Sequence, residues 1–158
     1  MKENRTQTYE VMFLLRQAAA ADLGAAVDHI RDVLARAGAE IIALSKWDER
    51  RLAYEIKKQK RGMYFLVYAT IPTANVASLE RDLNLSEVIL RWMLVRADHL
   101  SLDEMQATDA QQQVADEIAL RAERQRDKAE KEAAAKPKPA AAKPEPSAAE
   151  SQPAAAES

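Results

Sequence analysis

The chain has 158 residues, with 23 Lys/Arg, 25 Asp/Glu, two histidines, three glycines and no cysteine. Without cysteine there is no disulfide scaffold, zinc–thiolate site, iron–sulfur cluster or thiol nucleophile. His29 and His99 are too far apart in sequence to read as a histidine-rich metal motif, and no apolar run approaches the ~20 residues that cross a bilayer.

The opening residues Met1-Lys2-Glu3-Asn4-Arg5 lack the apolar stretch and small-residue cleavage site of a secretory signal, so a cytoplasmic location is expected. The net charge of −2 averages two unlike segments. Residues 1–100 carry 15 Lys/Arg against 13 Asp/Glu, whereas residues 101–158 carry 8 against 12. All eight aromatic residues precede residue 100, and five of the six prolines follow it. This predicts one domain over 1–100, large enough for a single core, then a polar, partly helical extension over 101–135 and a disordered Ala/Pro-rich tail over 136–158.

Thr8 to Leu15 alternates like a strand, with Tyr9, Val11, Phe13 and Leu15 on one face and Glu10, Met12 and Leu14 on the other. Asp22 to Ala37 has helical spacing, with Leu23, Val27, Ile30, Leu34 and Ala37 in one stripe and Gly38 placed for a left-handed cap, while Ala18–Ala21 leave the start open to extension. Glu40 to Lys57 reads as a strand interrupted by a bulge or bend at Asp48-Glu49-Arg50-Arg51. A charged turn, Lys57 to Gly62, leads to the β-prone run Met63 to Ile71, making a hairpin. Pro72 ends that strand. Thr73 or Asn75 is placed to cap a second helix bearing Val76, Leu79 and Leu83, with Asn84 as its stop. Val88 to Arg96 is a final strand, apolar enough for a central or well-covered position. The order β-α-β-β-α-β is that of an α+β, ferredoxin-like split fold, a four-stranded antiparallel sheet with both helices on one face and the other face bare. Past Leu100, Glu117–Arg121 and Asp127–Lys131 are i,i+4 pairs, worth about 0.2–0.5 kcal/mol each, on a helix expected to have no packing partner.

Catalytic motifs are absent from the sequence. The glycines are isolated, so there is no phosphate-cradling loop. His29 reads as a partly buried helix residue, and His99 follows Asp98 without a serine placed as nucleophile. Acylphosphatases share this topology, but Arg16 is followed by Gln17-Ala18-Ala19-Ala20 with no glycine, and there is no asparagine between Asn4 and Asn75. The chain is therefore read as a non-enzyme, without cofactor, metal or small-molecule substrate.

Residues 46–62 hold seven cations (Lys46, Arg50, Arg51, Lys57, Lys58, Lys60 and Arg61) against three anions, interleaved with Trp47 and Tyr54 and followed by Tyr64. Cations beside flat rings suit nucleic acid, because phosphates attract the charge and unpaired bases stack on the rings. A solvated hairpin with aromatics in the core is the competing explanation. Arg61-Gly62-Met63-Tyr64-Phe65-Leu66-Val67-Tyr68 partly fits the RNP1 pattern of RNA-recognition modules, with Met63 where an exposed aromatic is expected. By alternation, Met12, Leu14, Phe65 and Val67 are assigned to the bare face, with Ala53 and Met93 beside them, as an apolar surface for a protein partner.

Several of these landmarks together carry a family resemblance. Tyr9-Glu10 opens the first strand, Trp47 precedes Arg50-Arg51-Leu52-Ala53-Tyr54-Glu55-Ile56-Lys57-Lys58, and Gly62 with Tyr64 opens the next strand. Pro72, Leu79, Glu80 and Arg81 mark the second helix, and Arg91 lies within Val88 to Arg96. Over residues 8–97 the chain resembles the bacterial ribosomal small-subunit protein six family. It departs from the usual pattern at Asp48, where glycine is common, and at Glu55, where proline is common. The resemblance implies a structural protein of the small ribosomal subunit. Such a protein binds central-domain ribosomal RNA in the platform together with ribosomal small-subunit protein eighteen, which packs against the sheet and the C-terminal region. On that basis Lys57, Lys58, Arg91 and Arg96, then Arg50 and Arg51, are expected at phosphates. Tyr54 or Trp47 would stack on a base, and Met12, Leu14, Phe65 and Val67 would meet the partner.

Overall fold

The computed structural model describes residues 5–135. The tail predicted over 136–158 lies outside the described residues.

Four strands, β1 (Thr6–Arg16), β2 (Glu40–Ile56), β3 (Gln59–Pro72) and β4 (Ile89–Arg96), form one antiparallel sheet in the order β2-β3-β1-β4. Helices α1 (Leu23–Arg36) and α2 (Val76–Leu85) are the two crossovers. The architecture is the α+β, ferredoxin-like arrangement read from the element order. Contrary to the expectation for Val88 to Arg96, β4 is an edge strand. Its apolar run is only half covered, and Met93 and Val95 are exposed.

The ends of α1 follow from local chemistry. Asp22 caps the start, its Oδ1 accepting from the Ala25 amide at 3.0 Å. Gly38, at φ +67, closes the other end, where the Gly38 amide donates to the Ala35 carbonyl and the Ala39 amide to that of Leu34. That pair of bonds is a Schellman cap, which needs a left-handed residue at Gly38. In α2, neither Thr73 nor Asn75 caps through its side chain, and a 3-10 turn over Thr73–Asn75 leads into the helix instead. The Asn75 side chain donates to the Ala37 carbonyl at 2.9 Å, tying the α2 start to the α1 end. The α2 C-cap is Ser86 rather than Asn84.

The core lies between the sheet and the helices. Phe13, Phe65, Leu15, Val11, Val67 and Met63 are fully buried there against Ile30, Leu34, Leu79 and Leu83. Each large side chain buried this way contributes about 1.5–3 kcal/mol. Phe13 is registered against Phe65, and Val11 against Val67, so these residues share one face of the sheet, the helix-covered one. The assignment of Phe65 and Val67 to the bare face is therefore wrong. A one-residue choice of face inverts every side chain of a strand, and β3 takes its face from its pairing with β1.

The β2–β3 hairpin also differs from the expectation of a glycine-terminated turn. Ile56 pairs with Gln59, leaving a two-residue loop of Lys57 and Lys58, at φ 47 and 62. Positive φ at both positions is the geometry of a type I′ turn, which matches the twist of the flanking strands. Gly62 belongs to β3 and is buried. The bulges of β2 fall between Ile41 and Ala43, Lys46 and Asp48, and Arg51 and Ile56.

The extension has packing partners. The short helix α3 (Leu102–Ala107) starts with a capping box between Ser101 and Glu104 and lays Met105 against Ala43, Tyr68 and Ala97 on the sheet face opposite α1 and α2. The chain then crosses the β2 edge, and α4 (Gln111–Ala135) runs on the helix side. Val114 enters the main core, and Ile118 packs on it near Gly24 of α1. The 117–121 pair exists, at 2.7 Å, and it also reaches across to the sheet.

Candidate nucleic-acid and partner interface

The face of the sheet away from α1 and α2 is built from alternate residues of each strand. Register sets Met93, Met12 and Leu66 side by side across β4, β1 and β3, with Val95, Glu10 and Tyr68 in the row on one side and Arg91, Leu14 and Tyr64 on the other. Helix α3 covers the Tyr68 end. Tyr68 donates its hydroxyl proton to Glu10 Oε2 at 2.9 Å, and burial, with that carboxylate second, pushes its pKa up to about 12. At the other end the hairpin curls over the face. Ile56 packs on Leu14 and Leu90, with Leu52 and Tyr64 beside them. Between the two lies a partly open apolar strip, in which Met93 is 47% exposed. A cavity of about 270 Å³ there is lined by Met12, Leu14, Tyr54, Ile56, Tyr64, Arg91, Trp92 and Met93. Of the expected partner residues, Met12 and Leu14 reach this face, although Leu14 is largely covered. Ala53 is exposed on the hairpin. Tyr64 and Leu66, which the sequence reading did not select, take the places it gave to Phe65 and Val67.

The curl of the hairpin also brings cations together. Lys57, at the turn, and Arg91, on β4, line one cavity of about 280 Å³ with Leu83, Asn84, Leu90 and Trp92. Both residues are exposed, as are Lys58 and Arg51. Tyr54 is 68% exposed beside Arg91. Arg96 is not part of this group. It sits five residues further along β4, about 17 Å away at strand rise. There it pairs with Asp98 at 2.5 Å and donates to Gln7 at 3.3 Å. Arg50 lies over the Tyr64 ring, 5.5 Å from its centre, and pairs with Asp48 at 3.5 Å. Trp47 meets Tyr64 edge-on at 6.0 Å and keeps 56% of its surface exposed.

Lys46 is committed elsewhere. Its Nζ lies 2.6 Å from Glu117 of α4 and 3.2 Å from Glu49, while Arg121 reaches Glu49 at 2.8 Å. The Arg121 hydrogen bond, acting against burial and helped by Lys46, holds the Glu49 carboxyl below the usual carboxylate range. The basic cluster counted along the sequence thus divides in space: Lys46 joins an ion network under α4, and the others lie along the hairpin, where Arg50 pairs with Asp48 and Lys60 with Glu55 at 3.4 Å.

The RNP1 likeness does not survive this geometry. Met63 and Phe65 stand where that pattern requires exposed rings, yet both are fully buried beneath the helices. Among the described residues, no group of three or more His, Asp or Glu is arranged to hold a metal ion.

Residues 8–96, from β1 to the end of β4, match the family model of ribosomal protein S6. The chain belongs to the ribosomal protein S6 family. It is 37% identical over 92 residues to small ribosomal subunit protein bS6 of Campylobacter lari, an alignment covering 58% of this chain and 74% of that protein. The bS6 protein of Campylobacter jejuni subsp. jejuni gives the same identity and coverage. The crystal structure of 30S ribosomal protein S6 from Thermotoga maritima superimposes with a TM-score of 0.55 at 25% identity, covering 65% of this chain and 98% of that one. The S6 match ends at the last strand, so α3 and α4 lie beyond it. As a member of this family the chain is a protein of the small ribosomal subunit, acting in translation on the cytoplasmic ribosome.

Proposed function

We propose that this S6 protein is a non-enzymatic assembly component. It binds central-domain ribosomal RNA in the platform through the hairpin tip and β4, and it holds small-subunit protein eighteen against the open sheet face. The observation that carries the RNA part is the convergence of Lys57 and Arg91 on one cavity, with Lys58 and Tyr54 exposed alongside. Lys57, Lys58 and Arg91 neutralise phosphates, and Tyr54 offers a ring for an unpaired base. Arg51 and Arg50 extend the charge along the hairpin. Arg96 contributes less, because its guanidinium already has Asp98.

The protein contact falls on Met12, Met93, Leu66 and Tyr64, with Leu14 beneath them. The strip is apolar and flanked by ordered structure, which suits a protein side chain better than a phosphate. A domain with little net positive charge is a weak RNA binder alone, and a shared interface with a basic partner supplies the missing charge. The test is salt-dependent binding to a central-domain RNA fragment. Arg91→Ala and Lys57→Ala are each expected to reduce the salt slope by about one, and slopes unchanged in both variants would place the RNA elsewhere.

A further inference from the structure

As an edge strand, β2 has one side of its backbone without a neighbouring strand. Such edges recruit other strands unless charge, bulges, proline or a cover prevents it. These devices are unevenly distributed along β2. From Lys46 to Glu55 it carries six charged residues and two register breaks. From Ile41 to Ser45 the sequence is Ile-Ile-Ala-Leu-Ser, with no charge, no proline and a single register break, between Ile41 and Ala43.

The chain places a cover of its own on this uncharged stretch. The Leu44 amide donates to Asp109 Oδ1 at 2.9 Å, and the Leu44 carbonyl accepts from the Ala110 amide at 3.1 Å. Both backbone groups of Leu44 are thus satisfied by the corner between α3 and α4. That corner is pinned on either side of the sheet, by Met105 on one face and by Val114 in the core on the other, each almost fully buried. The ion network of Lys46, Glu49, Glu117 and Arg121 then clamps the first turns of α4 to the same strand.

We propose that residues 41–45 form a latent self-pairing surface, and that the Asp109–Ala110 corner keeps it closed. Uncovered, this stretch pairs antiparallel with the same stretch of a second copy. An antiparallel strand pair is self-complementary about a two-fold axis, so the product is a closed dimer. The charged remainder of β2 limits the pairing to this short segment.

The experiment uses the full chain with Glu117→Lys and Arg121→Glu together. This double variant keeps the pair within α4, reverses both contacts to β2 and leaves the core untouched. Sedimentation is expected to show a monomer for the parent chain and a concentration-dependent dimer for the variant. At low concentration the variant's Leu44 amide loses its protection from hydrogen exchange. Adding Lys46→Glu and Glu49→Lys restores complementarity and the monomer. Adding Ile42→Lys, a charge on the edge itself, also returns the variant to monomer. If α4 stays docked in the double variant, Val114→Asp releases it from the core side. The proposal is overturned if the Leu44 amide becomes exposed while the protein stays monomeric at all concentrations. It is also overturned if the dimer persists unchanged with Ile42→Lys, or if neither release variant exposes the Leu44 amide.

Discussion

Gly62 and Leu14 occupy one place in the sheet: a Cβ built on Gly62 would lie 2.5 Å from Leu14 Cδ1 and 3.0 Å from the Leu15 carbonyl oxygen. Leu14 is 5% exposed and packs against Ile56 and Leu90, so it has little room to move aside. The absence of a side chain at Gly62 lets the hairpin descend on β1, which is also what carries Lys57 toward Arg91. Gly62→Ala is expected to destabilise the fold by about 1–3 kcal/mol, as overpacking does, measured by urea denaturation. RNA binding should weaken as well, because the hairpin tip is displaced.

The turn at Lys57-Lys58 holds two non-glycine residues at positive φ. This conformation costs roughly 1–2 kcal/mol per residue. Replacing them with Asn-Gly, the favoured type I′ pair, should raise stability by about 1 kcal/mol and lower the salt slope of RNA binding by about two. Thermal unfolding and filter binding on the same variant should move in opposite directions. Unchanged RNA affinity in the more stable variant would remove these lysines from the interface.

Glu49 links the pH to the docking of α4. Its folded pKa lies below the unfolded one, chiefly because Arg121 donates a hydrogen bond to it. The stabilisation it provides is fully present above the ordinary carboxylate value of about 4.3 and is lost as pH falls through the lower folded value. Acid titration should release α4 before the domain unfolds, followed as loss of protection at the Leu44 amide. Glu49→Gln should flatten that step, and an unaltered acid profile in the variant would count against the clamp.

Faces of the sheet separate packing from recognition. Phe65→Ala empties a fully buried site and should cost about 3–5 kcal/mol. Met93→Glu alters a half-exposed residue and should leave stability within about 0.5 kcal/mol while abolishing capture of protein eighteen. Both are readable by denaturation alongside a pull-down with purified partner. Normal capture by Met93→Glu would shift the contact off this face.

The element order, the α1 stripe and the Gly38 cap were legible because each rests on local chemistry: the spacing of apolar residues and a glycine that tolerates a left-handed φ. The start of α1 was not, because Ala18–Ala21 suit a helix and only the structure shows Asp22 capping it. The face of β3 was not legible. Met63-Tyr64-Phe65-Leu66-Val67-Tyr68 is apolar throughout, so alternation gives no sign, and only pairing with β1 decides which residues go inside. The turn misled because glycine is the usual occupant of positive φ, whereas here lysines take it and the glycine, four residues past Lys58 and inside β3, serves a close approach. The packing of α4 was hidden because its helix-wide composition is polar. The contacts that hold it include two aliphatic residues and an ion network that joins residues more than sixty positions apart. For the candidate site, Lys57 and Arg91 were expected from the family resemblance, but nothing local in the sequence says that they line one cavity or that Arg96 stands apart with Asp98.

The most direct test of the account is binding of a central-domain ribosomal RNA fragment to this chain with and without small-subunit protein eighteen, at fixed salt. The account predicts weak binding alone, a gain of about tenfold or more, equivalent to about 1.4 kcal/mol, when the partner is present, and loss of that gain in Met93→Glu. Equal affinity with and without the partner would contradict the shared interface.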